Sequence, residues 1–406
     1  MNRTGIIPFF LVSAATLSGC QSESPSTEVH VTLSNPASGS NATQLLQLPV
    51  PEVLASANGV TSSDGSLAEL IDRDKNGTAD TLLLQVSLAP GQQRDISLSA
   101  SMQNTLPDLA HAELSVRQGG EWQGAKYVAD DFQFTPVTEF ESPKQLTDHS
   151  FYLRYEGPGW ESDKMGYRLY LDWRNAIDVF AKTVTTPALH MAGQDGYESY
   201  HHMQDWGQDV LKAGKSLGLG ALGRWHDGAV VHFNEVDNTR FELDSNDRLQ
   251  AGFSVYYQGW KAAEKSIDVS THYQINAGDS ATQIMLKSSE PVSDLVVGLV
   301  DHGVAFMQAE GSSWGYIATW GKQSLAGEDD QLGLAIFYQK AQVAQQIKGP
   351  YDYLLNFAPS TDNITYEILA EWPQAPSGPQ NQAEFEAMLR SKLQALDAPI
   401  VASLTH

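Results

Sequence analysis

Apolar and polar residues alternate, or run apolar over strand length, in many short stretches of the chain. Residues 81–88, 94–99, 113–117 and 132–135 carry this pattern, with turn signals at Asn76-Gly77, Pro90-Gly91 and Gly119-Gly120 around them. The same spacing resumes at 229–233, 240–243, 252–257, 266–275, 282–287, 295–300, 315–319, 332–339 and 365–371. Many short strands separated by turn residues predict an all-β protein built of stacked sheets. Two stretches break the period. Residues 205–217 place Trp206, Val210, Leu211, Ala213 and Leu217 near helical spacing, and residues 382–396 do so with Phe385, Met388, Leu389, Leu393 and Leu396. A short helix and a C-terminal helix that closes against a sheet are expected there.

The N-terminus follows another rule. Arg3, an apolar stretch over residues 6–15 and then Leu17-Ser18-Gly19-Cys20 form the pattern of a bacterial lipobox. It predicts a lipoprotein signal peptide over 1–19 and lipidation at Cys20, the chain's single cysteine, which also rules out an internal disulfide. Gln21 after the cysteine is the pattern of lipoproteins sent to the outer membrane, on its periplasmic or surface side. Residues 20–44, rich in Ser, Thr, Asn and Pro, read as a flexible tether. A β-sandwich body over 45–406 follows, with 45–145 a separable N-terminal β subdomain as one option. No later stretch reaches about 18 consecutive apolar residues, so the lipid anchor is the only membrane attachment expected.

Charge narrows the partners. With 49 acidic against 25 basic residues the net charge is −24, which excludes nucleic acid as a partner. Within residues 154–224, however, eight basic residues nearly balance nine acidic ones. Here an anionic substrate could be tolerated if the cations converge in space. If residues 167–174 are a strand, Arg168, Tyr170, Asp172 and Arg174 share one face and Tyr167, Leu169, Leu171 and Trp173 the other. The first face suits a sugar acid, or is a solvated row of ion pairs. Trp160, Trp173 and Trp206 offer faces for pyranose C–H groups, or pack in the core. His226, His232, His272 and His302 lie too far apart in sequence for a metal motif. Asp72, Asp74, Asn76 and Asp80, bent at Gly77, read either as a plain hairpin turn or as a structural Ca²⁺ loop; position twelve is Leu83, where a calcium hand needs glutamate. No cofactor is required.

Residues 155–160, 166–175, 196–203 and 205–218, with the 72–80 loop, 256–260 and the Trp314 block, resemble a family of secreted bacterial proteins, the domain of unknown function DUF4861. Its members are encoded among polysaccharide lyases and unsaturated-uronyl hydrolases. The resemblance implies a galactose-mutarotase-like β-sandwich, or supersandwich. For part of the family it implies a dehydratase acting on the non-reducing uronic acid of ulvan-type oligosaccharides. Elimination of water or a glycosyl group from C4 needs a cation on the carboxylate, a base for the C5 proton and an acid for the leaving oxygen. Arg168 or Arg174 fits the first role, His201 the second, and Tyr200 or Tyr170 the third; Lys215 adds a binding cation. Two other classes stay open: a hydrolase using Asp172 with Glu161 or Asp178, and a surface glycan-binding lipoprotein without chemistry.

Overall fold

The computed structural model describes Met1 and residues 28–39, 42–103 and 105–405; the expected signal peptide beyond Met1, and Cys20, lie outside the described residues. Among those residues the chain forms sheets of nine, six, five, four, three and two strands. The architecture is an all-β sandwich with one C-terminal helix. The strands expected from alternation are present, usually longer by a few residues, as in Gln250–Ala262 and Lys265–Asn276.

One core holds the body together. The nine-stranded sheet supplies Phe253, Tyr273, Ile284, Ile336 and Ile368, and these pack against Trp160, Tyr167, Leu169 and Val179 of the six-stranded sheet and Val297 and Leu355 of the five-stranded one. The last two sheets meet at a parallel bridge between Ile177 and Gly218 and act as one layer. Each fully buried side chain of this kind contributes about 1.5–3 kcal/mol. The C-terminal helix, Gln382–Asp397, lays Phe385, Leu389 and Leu393 on Trp320 and Phe337 of the outer face of the nine-stranded sheet. Asn381 caps it, accepting from the Glu384 N–H at 3.0 Å, while the Glu384 carboxylate takes the Gln380 N–H.

Residues 205–217 are not a helix. Gly207–Asp209 pairs with Phe180–Lys182 as the edge of the six-stranded sheet, and Gly207 and Gly214 have positive φ. A Cβ at Gly207 would strike the Ala181 carbonyl. The apolar residues that mimic a helical stripe divide between two cores: Trp206 goes under a loop layer, and Val210, Leu211 and Leu217 into the main core.

Within the span expected to be a tether, 20–44, the described residues include strands. Glu28–Ser34 is a strand with Val29, Val31 and Leu33 buried, set between Gln93–Ser101 and the terminal strand Val401–Thr405. This four-stranded sheet packs on the three-stranded sheet containing Thr81–Leu88, forming a small sandwich with its own core. Ala110–Gln118 and Gln133–Val137 belong instead to the six-stranded sheet, so the N-terminal unit comprises residues before about 102 plus the last strand, not 45–145. The 72–80 segment links Ala68–Ile71 to Thr81–Leu88 as a hairpin loop rather than opening a helix. Asp72 accepts from Asn76 and Gly77 N–H, and Asp80 from Arg73 N–H. One carboxylate oxygen each of Asp72, Asp74 and Asp80 lies within 4.8 Å of the others.

Candidate functional site

The inner face of the six-stranded sheet is apolar, as a sandwich requires. Its other face is not. Register places Glu113, Gly159, Arg168 and Asp178 in one row across four strands, with His111, Glu161, Gly166, Phe180 and Asp209 in the next. Glu113, Glu161, Arg168, Asp178, Lys182 and Asp209 are all buried. Ionised groups removed from water are costly unless paired, so each has a partner. Glu113 meets Arg154 and the Tyr155 hydroxyl. Lys182 Nζ lies 2.6 Å from Glu161, whose other oxygen takes the Ala188 and Leu189 N–H groups at 2.7 Å. Gly159 is required because Tyr155 occupies the space its side chain would fill.

Arg168 is the hub. Its Nη2 donates to Asp178 at 2.7 Å, Asp209 at 2.8 Å and the Tyr170 hydroxyl at 2.9 Å, and its Nη1 to the Tyr200 hydroxyl at 3.1 Å. Tyr170 in turn donates to Asp178 at 2.7 Å. Burial, with the Asp209 charge beside it, pushes the Asp178 carboxyl up to about 6 despite Arg168. Burial also pushes the Tyr200 phenol up to about 12 and that of Tyr170 well above its ordinary value, so both stay protonated. His201 stands at the rim, its ring 4.4 Å from that of Tyr200 and its Nδ1 3.4 Å from Asp209. Its side chain is 46% exposed.

A second hub sits on the first. The Arg174 guanidinium lies 4.0 Å from the Tyr170 ring centroid and bonds Asp172, Glu156 and Asp148 at 2.6, 2.7 and 2.8 Å. Asp148, His149 and Glu156 also place ligand atoms within 4.8 Å of each other, but Arg174 already neutralises both carboxylates. The backbone around these groups is strained. His149, Phe151, Tyr155, Glu156 and Asn175 all have φ between 38° and 71°, five of the nine non-glycine residues with positive φ among the described residues. Such conformations cost roughly 1–3 kcal/mol each and concentrate where chemistry fixes a geometry.

The sequence-derived candidates thus separate. Arg168, Tyr170, Tyr200 and His201 come together, and Arg174 and Asp172 adjoin them. The strand ends at Leu169, yet the face it predicts persists through Tyr170 to Arg174. The carboxylate-clamp role expected of Arg168 does not match its position: it is 2% exposed and four acceptors inside the chain hold it. Trp160 and Trp206 are core residues, Trp160 donating to Thr282 at 2.8 Å, so they cannot stack on a substrate. Trp173, 42% exposed, can, and with Arg174 and Lys215 it lines a cavity of about 320 Å³. Glu161, offered for a hydrolytic pair, is fully buried against Lys182. Asp209, Glu156, His149 and Tyr351 were not singled out from sequence. A Gly-Gln-Asp triplet has no motif signature, and only strand pairing shows Asp209 beside Phe180.

Comparison with known proteins bears on this arrangement. A curated protein of Formosa agariphila, itself described as uncharacterized, is 20% identical over 431 positions, spanning 98% of this chain and 99% of that one. Two solved Enterococcus faecalis structures, an alpha-mannosidase and a protein of glycosyl hydrolase family 38, align with 94% of this chain at TM-scores of 0.49 and 0.43 and identities of 10% and 9%. The chain spans 46% and 48% of their lengths. The family model for the domain of unknown function DUF4861 matches residues 33–401, and the chain belongs to that family.

Proposed function

We infer that the protein is a carbohydrate-active lyase that removes water, or a glycosyl group, from C4 of a non-reducing-end uronate in acidic oligosaccharides. The observation that carries this reading is a half-exposed histidine, His201, seated on buried Asp209 at the rim of a network that fixes two protonated phenols. Asp209 orients the imidazole through Nδ1 and leaves Nε2 to take the C5 proton. The C5–H electron pair forms the C4–C5 double bond as the C4–O bond breaks. Tyr170 gives the departing oxygen its proton, the phenolate left behind is held by Arg168 Nη2 at 2.9 Å and regains a proton from solvent, and His201 releases the C5 proton to solvent. Arg168 is a positioning residue that holds Tyr170 and Tyr200, while Lys215 supplies positive charge for the substrate carboxylate and Arg174, bound to Asp172, Glu156 and Asp148, fixes the cavity wall beside it.

Incubation with uronate-terminated oligosaccharides tests this. Elimination yields an ultraviolet-absorbing conjugated double bond and, for dehydration, a product lighter by one water. Reducing ends without that absorbance would mean hydrolysis, and binding with neither product would mean a glycan-capturing protein. The lipid anchor at Cys20 and an outer-membrane location belong to the same proposal, placing the enzyme where large polysaccharide fragments arrive.

A further inference from the structure

Trp173 lies between two cavities. On one side it lines the space of about 320 Å³ shared with Arg174, Lys215, His232 and Tyr351. On the other it lines a space of about 280 Å³ with Asp172, Ser142, Asn238 and Phe233. Small-ligand sites run upward from about 300 Å³, so each cavity is at the scale of one small ring and the pair suits a ligand of two. An indole left 42% exposed, with Tyr351 48% exposed across the first cavity, is apolar surface that a partner would cover.

The two cavities differ chemically. Lys215 is exposed, its ammonium 5.7 Å from the Tyr351 ring centroid, and it has no carboxylate partner among the described residues. An anion entering the first cavity meets this exposed cation, whereas the one carboxyl in the lining, Asp352, is 2% exposed and accepts from the Leu217 N–H. The second cavity offers no net positive charge: Lys144, whose ammonium donates to the Asp237 carbonyl, shares the lining with two acidic side chains, Asp237 and Asp172, the latter bound to Arg174. It does contain the buried Ser142 Oγ, which lacks any hydrogen-bond partner. That oxygen is closed to solvent, so a ligand hydroxyl meets it once the Ser142 side chain turns to another rotamer, which also satisfies the oxygen. We propose that Trp173 divides a two-subsite glycan groove, with an anionic sugar beside Lys215 and a neutral sugar beside Ser142. This rests on the reading that the ligand is an acidic oligosaccharide, and it specifies which parts of the ligand are recognised beyond the reacting ring.

Calorimetric titration tests it, using His201→Ala protein so that no turnover interferes. The probes are glucuronyl- and galacturonyl-terminated disaccharides linked to neutral hexoses, with the free uronates and neutral disaccharides as controls. The best acidic disaccharide is expected to bind at least ten-fold tighter than its free uronate. Adding Trp173→Ala should erase that gain. Adding Lys215→Ala should weaken acidic disaccharides about ten-fold and leave neutral ones unchanged. Unchanged disaccharide affinity in the tryptophan variant, or no binding by any probe, overturns the groove. The two readings fail separately. Tryptophan-dependent binding with no turnover by the wild type would sink the elimination alone, and turnover indifferent to Trp173→Ala would sink the groove alone.

Discussion

Arg168→Ala separates a positioning role from a substrate clamp. The substitution deletes the cation shared by Asp178 and Asp209, which are 1% and 2% exposed, and removes donors from two phenols. Breaking one buried ion pair costs about 3–5 kcal/mol because an uncompensated charge is left behind. The loss should depend on pH. Without Arg168 the folded-state pKa of Asp178, already raised by burial and the Asp209 charge, moves further above the unfolded value of about 3.9. A raised carboxyl pKa gives stability that is present below the unfolded value and lost as pH rises through the folded one. The deficit should therefore be smaller at pH 5 than at pH 8, and Asp209→Asn added to the variant should recover part of it. Urea denaturation at both pH values, followed by tryptophan fluorescence, measures this. A deficit under about 1 kcal/mol at both, with a weakened KM for acidic sugars alone, would show that Arg168 is a clamp and that the internal network is not what holds the site.

His201→Ala should lower kcat by about 10²–10⁴-fold with little change in substrate affinity, read by ultraviolet absorbance of the product. Tyr170→Phe should do likewise while the protein still binds. Burial pushes the Asp352 carboxyl up to about 7, so its stabilising contribution, at most roughly 4 kcal/mol from the shift, is present below about pH 4 and lost as pH rises through 7. Asp352→Asn keeps an acceptor for the Leu217 N–H and should melt higher than wild type at pH 8 but not at pH 4. If the 72–80 loop binds calcium, adding the ion should raise Tm without changing turnover; a chelator that abolishes turnover at constant Tm contradicts a structural role. Cys20→Ser should release the protein from the detergent phase in phase partitioning, and a wild type already found in the aqueous phase refutes the anchor.

Fold class was legible because alternation is a local signal that burial on one face imposes. Leu82, Leu84 and Val86 show this, and so does the amphipathic C-terminal helix. The 205–217 stretch misleads because Trp206 is buried in one core and Val210 and Leu211 in another, and no local period distinguishes that from one helical stripe. The site was half legible. Arg168 and Tyr170 share a face through the two-residue strand repeat, but the partners that saturate Arg168 come from Asp178, Tyr200 and Asp209. Their proximity is created by pairing across strands and by the overlying loop. Exposure divided Trp173 from Trp160 and Trp206, and nothing in the residue type announces exposure.

The pairing of Glu28–Ser34 with Val401–Thr405 has a consequence for how the chain matures. His30 cannot find Thr405 until the intervening residues have been made, so the sheet that holds Glu28–Ser34 stays unfinished until Val401–Thr405 is available. An incomplete product would display an open strand edge, the feature most prone to mispairing and to attack by proteases. Deleting Val401–Thr405 should therefore be felt first at Glu28–Ser34, about 370 residues earlier, as loss of protection of that strand in hydrogen exchange.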